Sequence, residues 1–350
     1  MRAVNQALTK INNKNLILKQ IIMKPVSRIE LSGMTGLTKM TVSNIVNELM
    51  DDGYVTEGKQ EIHSAPGRRP IVLKPDTAKH HILGIYLCRD SVSAFSSNLC
   101  GEIIHMESIP FDDETAESVG KKIIRAADKI IKLEKNIIGI GVSSIGPVGA
   151  KDGVLREPPH FFGIERIDIR SLLENTFSLP VFTDNDMNTS ALAEKYWGKG
   201  ADLDDFIYLG AAKGIGAGII LKGRLCEGDF GEIGHVSVDI NGKKCPCGNK
   251  GCLEMYASIS SNANKNNKPD ICRYLAEGCI TLINLFNPDK IFLGHRIPYL
   301  GSDAADIIAK NIGNRYIGSK YKHVGIEFSR FYDKAPLYGA AAIFIDRYKF

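Results

Sequence analysis

No apolar run in these 350 residues is long enough to span a bilayer, so no membrane-spanning helix is expected. Residues Met1–Asn15 are polar and lack the apolar middle of a secretory signal. The expected compartment is therefore the cytoplasm. A disulfide framework is lacking too, because three of the eight cysteines crowd into one short stretch and the others are scattered. In a reducing compartment such crowding points to metal more than to disulfides. Composition shows no bias: 44% apolar and 24% charged residues suit an ordinary globular chain. The length exceeds one typical core and predicts two or three domains. Most of the chain also lacks net charge, with 33 basic and 34 acidic residues after position 75. Residues 1–75 hold 11 basic and 6 acidic residues. That local excess is a modest electrostatic sign of a nucleic-acid partner, and a solvated surface would carry the same charge.

The first 75 residues read as three helices and a basic loop. In residues 15–23, Leu16, Ile17, Ile21 and Ile22 fall roughly on one helical face. Ser27 precedes a short second helix containing Arg28–Leu31. Gly33 and Gly36 flank a tight break. Thr38 can cap a third helix through KMTVSNIVNELMDD. Val42, Ile45, Val46 and Leu49 keep the helical period. Thr38, Lys39, Thr41, Ser43 and Asn44 lie on or near the other face, toward the N-terminal end. In a helix-turn-helix that end enters the major groove, where short polar side chains reach base edges. Gly53 stops the helix. Tyr54–Thr56 and Ile71–Leu73 read as strands around the loop HSAPGRRP, whose Arg68 and Arg69 suit a narrow minor groove. The competing reading is a three-helix protein-interaction module with a basic loop.

From residue 80 onward, strand-like and helix-like segments alternate, predicting an α/β body. Ile82–Ser96 and Ile103–Ile109 suggest a meander, Ala116–Leu133 an amphipathic helix, and Asn136–Val142 a buried strand. Val181–Thr183, Phe206–Leu209, Ile219–Leu221 and Lys290–Leu293 are further strands. The sharpest signal is His235 followed by Cys245, Cys247 and Cys252 in a C-x-C-G-x-x-G-C run. Three thiolates and one imidazole suit tetrahedral, structural zinc, and the alternative is a set of reduced, unligated cysteines. A second cluster, Asp184–Asn188, sits at a strand–helix junction, where these side chains either face a ligand or cap the helix. A third, GEIGH, puts Glu232 three residues before the metal histidine, whose other ring nitrogen is then held toward a ligand. Ser260–Pro269 is polar and reads as a mobile loop, and Cys272 and Cys279 read as core.

These motifs resemble the ROK family (repressors, open reading frames, kinases). The head stretch LTKMTVSNIVNELMDDGYV with SAPGRRP, the run DNDMNTSALAE, and GEIGH with CPCGNKGCLE carry the likeness. The resemblance implies a two-lobed, actin-like α/β ATPase fold behind a winged helix-turn-helix. The divisions expected are a DNA-binding domain at 1–75, a linker at 76–80, a first lobe at 81–184 rejoined by a helix at 336–350, and a second lobe at 185–335. The implied sugar ligands are Asn185, Asp186, Glu232, His235 and Glu254, with Asp186 where kinases of the family keep their base. Such kinases open the body with an aspartate, a glycine pair and a threonine that wrap ATP phosphates through backbone amides. Here Tyr86 takes the aspartate position and Cys88-Arg89 replace the glycines, with Asp90 adding negative charge. A second glycine run, Gly210–Gly218, reads as a tight turn kept for packing, and His295 as a packing or surface residue.

The expected function is therefore that of a repressor, not an enzyme. Its partners would be a palindromic double-stranded DNA operator and a sugar effector, and it would act as a homodimer or homotetramer. Two other readings compete. One is an ATP-dependent sugar kinase with a DNA-binding head. The other is a ligand-independent DNA-binding protein with a vestigial cleft, in which Glu232 and Asp186 have no regulatory role.

Overall fold

The computed structural model describes residues 6–58, 71–226, 228, 231–259 and 267–350. The chain divides into two compact units. The first comprises Met1–Val142, Pro159–Thr183 and Ala340–Phe350, and the second Ser143–Pro158 and Asp184–Gly339. The head is thus grouped with the first α/β body, and Ser143–Pro158 falls in the second unit.

The head begins with α1 (Gln6–Met23), longer than the periodic stretch predicts. Leu16 is 40% exposed, and Leu18 takes its place in the core beside Ile17 and Ile21. After β1 (Val26–Ser27), helix α2 (Arg28–Thr35) starts on a capping box. The Ser27 side chain accepts from the Glu30 amide, and the Glu30 carboxylate accepts from the Ser27 amide. Two donors that a helix start leaves orphaned are satisfied this way. Gly33 stays inside α2, so the break falls at Gly36 alone, in the left-handed region. Helix α3 (Lys39–Asp51) buries Val42, Ile45, Val46 and Leu49. Strands β2 (Val55–Glu57) and β3 (Val72–Pro75) pair antiparallel, and β3 also pairs with β1.

In the first unit, β4 (His81–Leu87), β5 (Ser91–Asn98) and β6 (Ile103–Pro110) form the expected meander. With β7 (Ile137–Ser144) and β10 (Val181–Asn185) they make one sheet in the order β10-β7-β4-β5-β6. Helix α4 (Ala116–Leu133) has the predicted bounds and lays Val119, Ile123, Ala127 and Ile130 inward. Two short strands, β8 (Val154–Arg156) and β9 (Arg166–Asp168), and helix α5 (Ile169–Phe177) precede β10.

In the second unit, α6 (Asp186–Trp197) leads to the hairpin β11 (Phe206–Ala211) and β12 (Ile215–Leu221). Strand β13 (Arg224–Leu225) pairs antiparallel with the end of β12. Helix α7 (Glu254–Ala257) follows the cysteine run. Helix α8 (Lys268–Phe286) starts earlier than its apolar pattern implies, with Pro269 in its first turn. Residues 268–269 are therefore helical, and residues 260–266 of the predicted mobile loop lie outside the described residues. Strand β14 (Lys290–His295), helix α9 (Ala304–Ile312) and strand β15 (Gly325–Phe328) complete a sheet in the order β13-β12-β11-β14-β15. Cys272 and Cys279 are core residues, both 0% exposed. Helix α10 (Ala335–Arg347) starts in the second unit and runs into the first. Among the described residues no helix is long and apolar enough to cross a membrane.

Candidate functional site

The four metal-ligating candidates converge. One ligand atom from each of His235, Cys245, Cys247 and Cys252 lies within 4.8 Å of the others. His235 Nδ1 is 3.7 Å from Cys245 Sγ, and Cys247 Sγ is 3.7 Å from Cys252 Sγ. A tetrahedron with Zn–S bonds of about 2.3 Å has edges of about 3.8 Å. The donor set therefore fits a divalent cation of that kind. The knuckle depends on backbone that only glycine adopts easily. Gly248 and Gly251 have φ of 95° and 69°. A Cβ on Gly251 would lie 1.7 Å from the Asp239 carbonyl oxygen. Electrostatics agree: burial, and then the neighbouring sulfurs, push the Cys252 thiol up to about 12. A cation removes that obstacle, because it replaces the protons. Cys247 is the one exposed ligand of the four.

The hydroxyl-binding candidates all lie in the second unit. Asn185 is the N-cap of α6, its side chain accepting from the Asn188 amide at 2.8 Å. Asp184 is buried and accepts from the Asn185 amide and from Asn188 Nδ2. The junction is therefore partly capping chemistry, and it leaves Asp186 at the first turn of α6, where the helix dipole favours a carboxylate. Strand β12 brings this junction and GEIGH together. A Cβ on Gly218 would lie 2.2 Å from the Met187 carbonyl oxygen, so α6 sits directly on that strand. On the same strand the Ala217 amide donates to the Gly231 carbonyl at 2.8 Å. The Ile215 amide donates to Glu254 Oε2 at 3.2 Å. Met187 beside Asp186, Gly231 beside Glu232, and Glu254 itself thus all touch one strand. Because Nδ1 of His235 faces the sulfurs, Nε2 is the nitrogen turned away from them.

In the head, Thr38 caps α3, accepting from the Thr41 amide at 3.1 Å, and the two hydroxyls are 2.9 Å apart. Thr38, Lys39 and Asn44 are exposed, and Thr41 and Ser43 half-buried. Arg68 and Arg69 lie outside the described residues. Sequence reasoning passed over Met40, which is 76% exposed among these polar residues. It also passed over Arg28, which donates to Ser43 O and Asn47 Oδ1 and pairs with Glu57. The sequence signal for Met40 was its position, off the buried face of α3.

The glycine run closes the β11–β12 hairpin, with Ala211 opposite Ile215. His295 is buried, its amide donating to the Tyr208 hydroxyl at 3.1 Å.

Fold and site together define a class: an α/β protein of two units, with a His/Cys3 cluster that could hold a metal, a strand bonded to Glu254, and an added helical head. The chain belongs to the ROK family, whose pattern matches residues 82–270. The chain is 31% identical to the xylose repressor of Caldicellulosiruptor bescii, over 97% of each chain. It is 29% identical to NagC of Escherichia coli, a DNA-binding transcriptional dual regulator, over 78% of this chain and 77% of that one. Its structure resembles that of a ROK family transcriptional regulator, a homolog of the E. coli MLC protein. The TM-score is 0.80 and the identity 26%, over 96% of each chain. A ROK glucokinase from Streptomyces griseus shares the fold, with a TM-score of 0.65 and 22% identity over 75% of this chain and 98% of that one.

Proposed function

We propose that this protein is a sugar-responsive transcription repressor of carbohydrate genes and not an enzyme. Residues 1–75 act as a winged helix-turn-helix on a palindromic double-stranded operator, and the second unit holds a sugar beside a structural zinc ion. One observation carries the reading: α3 presents a capped, exposed, polar N-terminal end on a head added to a ROK body. Thr38, Lys39, Thr41, Ser43 and Asn44 there would read bases, with Arg68 and Arg69 on the wing. Relatives named as repressors match along the chain, head included. Asn185, Asp186, Glu232, Glu254 and Nε2 of His235 would bind sugar hydroxyls. His235, Cys245, Cys247 and Cys252 would hold the zinc. A cytoplasmic dimer or tetramer would present two heads to two half-sites.

The kinase reading rests on Asp186 at the family's base position. Against it, the β4–β5 turn carries Cys88, Arg89 and Asp90 where phosphates need bare amides. The test uses duplexes selected from a random pool by the protein itself. Binding is then titrated with D-xylose, N-acetylglucosamine, disaccharides and sugar phosphates. One sugar should shift operator affinity about tenfold or more. Glu232→Ala and Asp186→Ala should abolish the shift and keep DNA binding. No shift with any sugar overturns the sensing role, and ATP turnover lost in Asp186→Asn would restore the kinase.

A further inference from the structure

The segment joining head to body is expected to be a plain linker, yet residues 76–81 are held on both sides. The Asp76 amide donates to the Tyr54 carbonyl at 2.9 Å. Asn136 Nδ2 donates to the Ala78 carbonyl at 3.2 Å. His81 stands between the Glu134 carboxylate, 2.9 Å from Nδ1, and the Thr77 carbonyl, 3.0 Å from Nε2. His80 stacks on Tyr54 with ring centroids 4.1 Å apart, and its Nε2 lies 2.9 Å from the Asp52 carbonyl.

A second line reaches Tyr54 from the other end of the chain. Phe344 is fully buried in the first unit, edge-on to Phe182. Tyr348 stacks on it at 4.7 Å, and Phe350 stands edge-on to Tyr348 at 4.9 Å. Phe350 then meets the Tyr54 ring edge-on at 5.3 Å, and its amide donates to Asn15 Oδ1 at 2.8 Å. Lys19 of α1 donates to the Asp346 carbonyl. Lys14, paired with Asp52 at 2.6 Å, lies over the Tyr54 ring. Linker and tail therefore meet on one residue of the head.

We infer that Phe350 is a positioning residue for DNA binding: it fixes the orientation of the head on the first unit by packing on Tyr54, the ring that His80 also stacks on. Its described contacts in the head are with Tyr54 and with Asn15 of α1, so it acts through Tyr54 and α1. Helix α10 adds a consequence. Its first turn, Ala335–Gly339, belongs to the unit holding the sugar residues, and Ala340–Phe350 to the unit holding the head. One continuous helix thus links the sugar-binding unit to the contact that aims the head.

The inference rests on the two-headed operator reading, and the experiment separates the two. Wild-type protein selects a duplex from a random pool. Affinity is then measured for that duplex, for versions with the half-site separation changed by one or two base pairs, and for a single half-site. Wild type should discriminate sharply between separations, because fixed heads demand one spacing. Phe350→Ala should lower that discrimination about tenfold, the scale of one or two lost ring contacts, and leave half-site affinity within about twofold. Asn15→Ala should act in the same direction, and Phe350→Tyr should restore discrimination. Undiminished spacing preference in Phe350→Ala overturns the inference alone. A wild-type protein indifferent to spacing overturns the two-headed reading and this inference with it.

Discussion

Glu194 makes the sharpest test of how α6, the helix that starts at Asp186, is held. It is completely buried near the end of α6. Oε1 accepts from the Ser329 hydroxyl at 2.6 Å and the Arg330 amide at 2.7 Å, and Oε2 accepts from the Lys199 amide at 2.9 Å. Three donors converge on two oxygens, so a carboxylate fits and an amide does not. In Glu194→Gln the one remaining oxygen can face Ser329 and Arg330, which sets the NH2 group against the Lys199 amide. The side chain has no room to swing, since a Cβ on Gly198 would already lie 2.2 Å from Oε2. One buried donor is left unsatisfied, at about 1–3 kcal/mol, and two charge-assisted bonds become neutral ones. The expected cost is about 2–4 kcal/mol for Gln and about 3–5 for Ala, which strands all three donors. Trp197, the only tryptophan in the chain, ends α6, and its carbonyl accepts from Arg330 at 2.6 Å. Its fluorescence during urea unfolding therefore reports this region. A Gln variant within about 0.5 kcal/mol of wild type would refute the argument, since that is the range of ordinary surface changes.

Cys247→Ser should weaken metal binding about 100-fold, one ligand's share of the about 10–16 kcal/mol typical of such sites, and metal content after dialysis checks it. The same variant should lose sugar affinity, because the metal orients His235. Thr38→Ala removes the cap of α3 and should cost about 1 kcal/mol of stability in urea unfolding, and it should also weaken operator binding, because Thr38 is among the proposed base readers. Its salt dependence should match wild type, because no phosphate contact is lost. The Ser27 amide, and then its hydroxyl, hold the Glu30 carboxyl below its usual 4.5. A carboxylate with a lowered folded-state value stabilises fully above the ordinary range and loses that effect as pH falls through the lowered one. The Tm gap between wild type and Glu30→Gln should therefore be largest near neutrality and close in acid. A gap that widens below pH 4.5 would contradict this.

What could be read from sequence was whatever is decided locally. The caps at Ser27 and Thr38 are settled within three residues, and α4 announced itself because Val119, Ile123 and Ile130 repeat without interruption. The metal set was legible because all four ligands fall within one short stretch. The N-terminal half of α1 was missed because its residues face solvent and carry no apolar period. Leu16 and Leu18 were exchanged because each lies about 100° from the core residue Ile17, on opposite sides of it, and packing decides between the two edges. Strands β1, β13 and β15 are two to four residues long and exist only by pairing. The contacts of Met187, Gly231 and Glu254 with β12 depend on topology, so spacing could not supply them. The junction at Asn185 proved to be a cap that sequence alone left balanced against a ligand.

The same hairpin argues for sensing over catalysis on steric grounds. A glycine run serves phosphates only if the space above its missing side chains stays open. At Gly210 that space is taken: a Cβ there would lie 2.5 Å from the His295 ring and 2.6 Å from the Met187 sulfur. His295 is fixed in place by the bond from its amide to Tyr208, and Met187 is carried by the first turn of α6 beside Asp186. The residue next to the family's base therefore packs into the glycine run. If this packing is what silences phosphate chemistry, His295→Gly alone should not create ATP turnover, because Met187 still fills the position. It should instead loosen α6 and weaken sugar binding. ATP hydrolysis by the unaltered protein would show that the glycine run takes phosphate with both side chains in place, and the steric argument would fall.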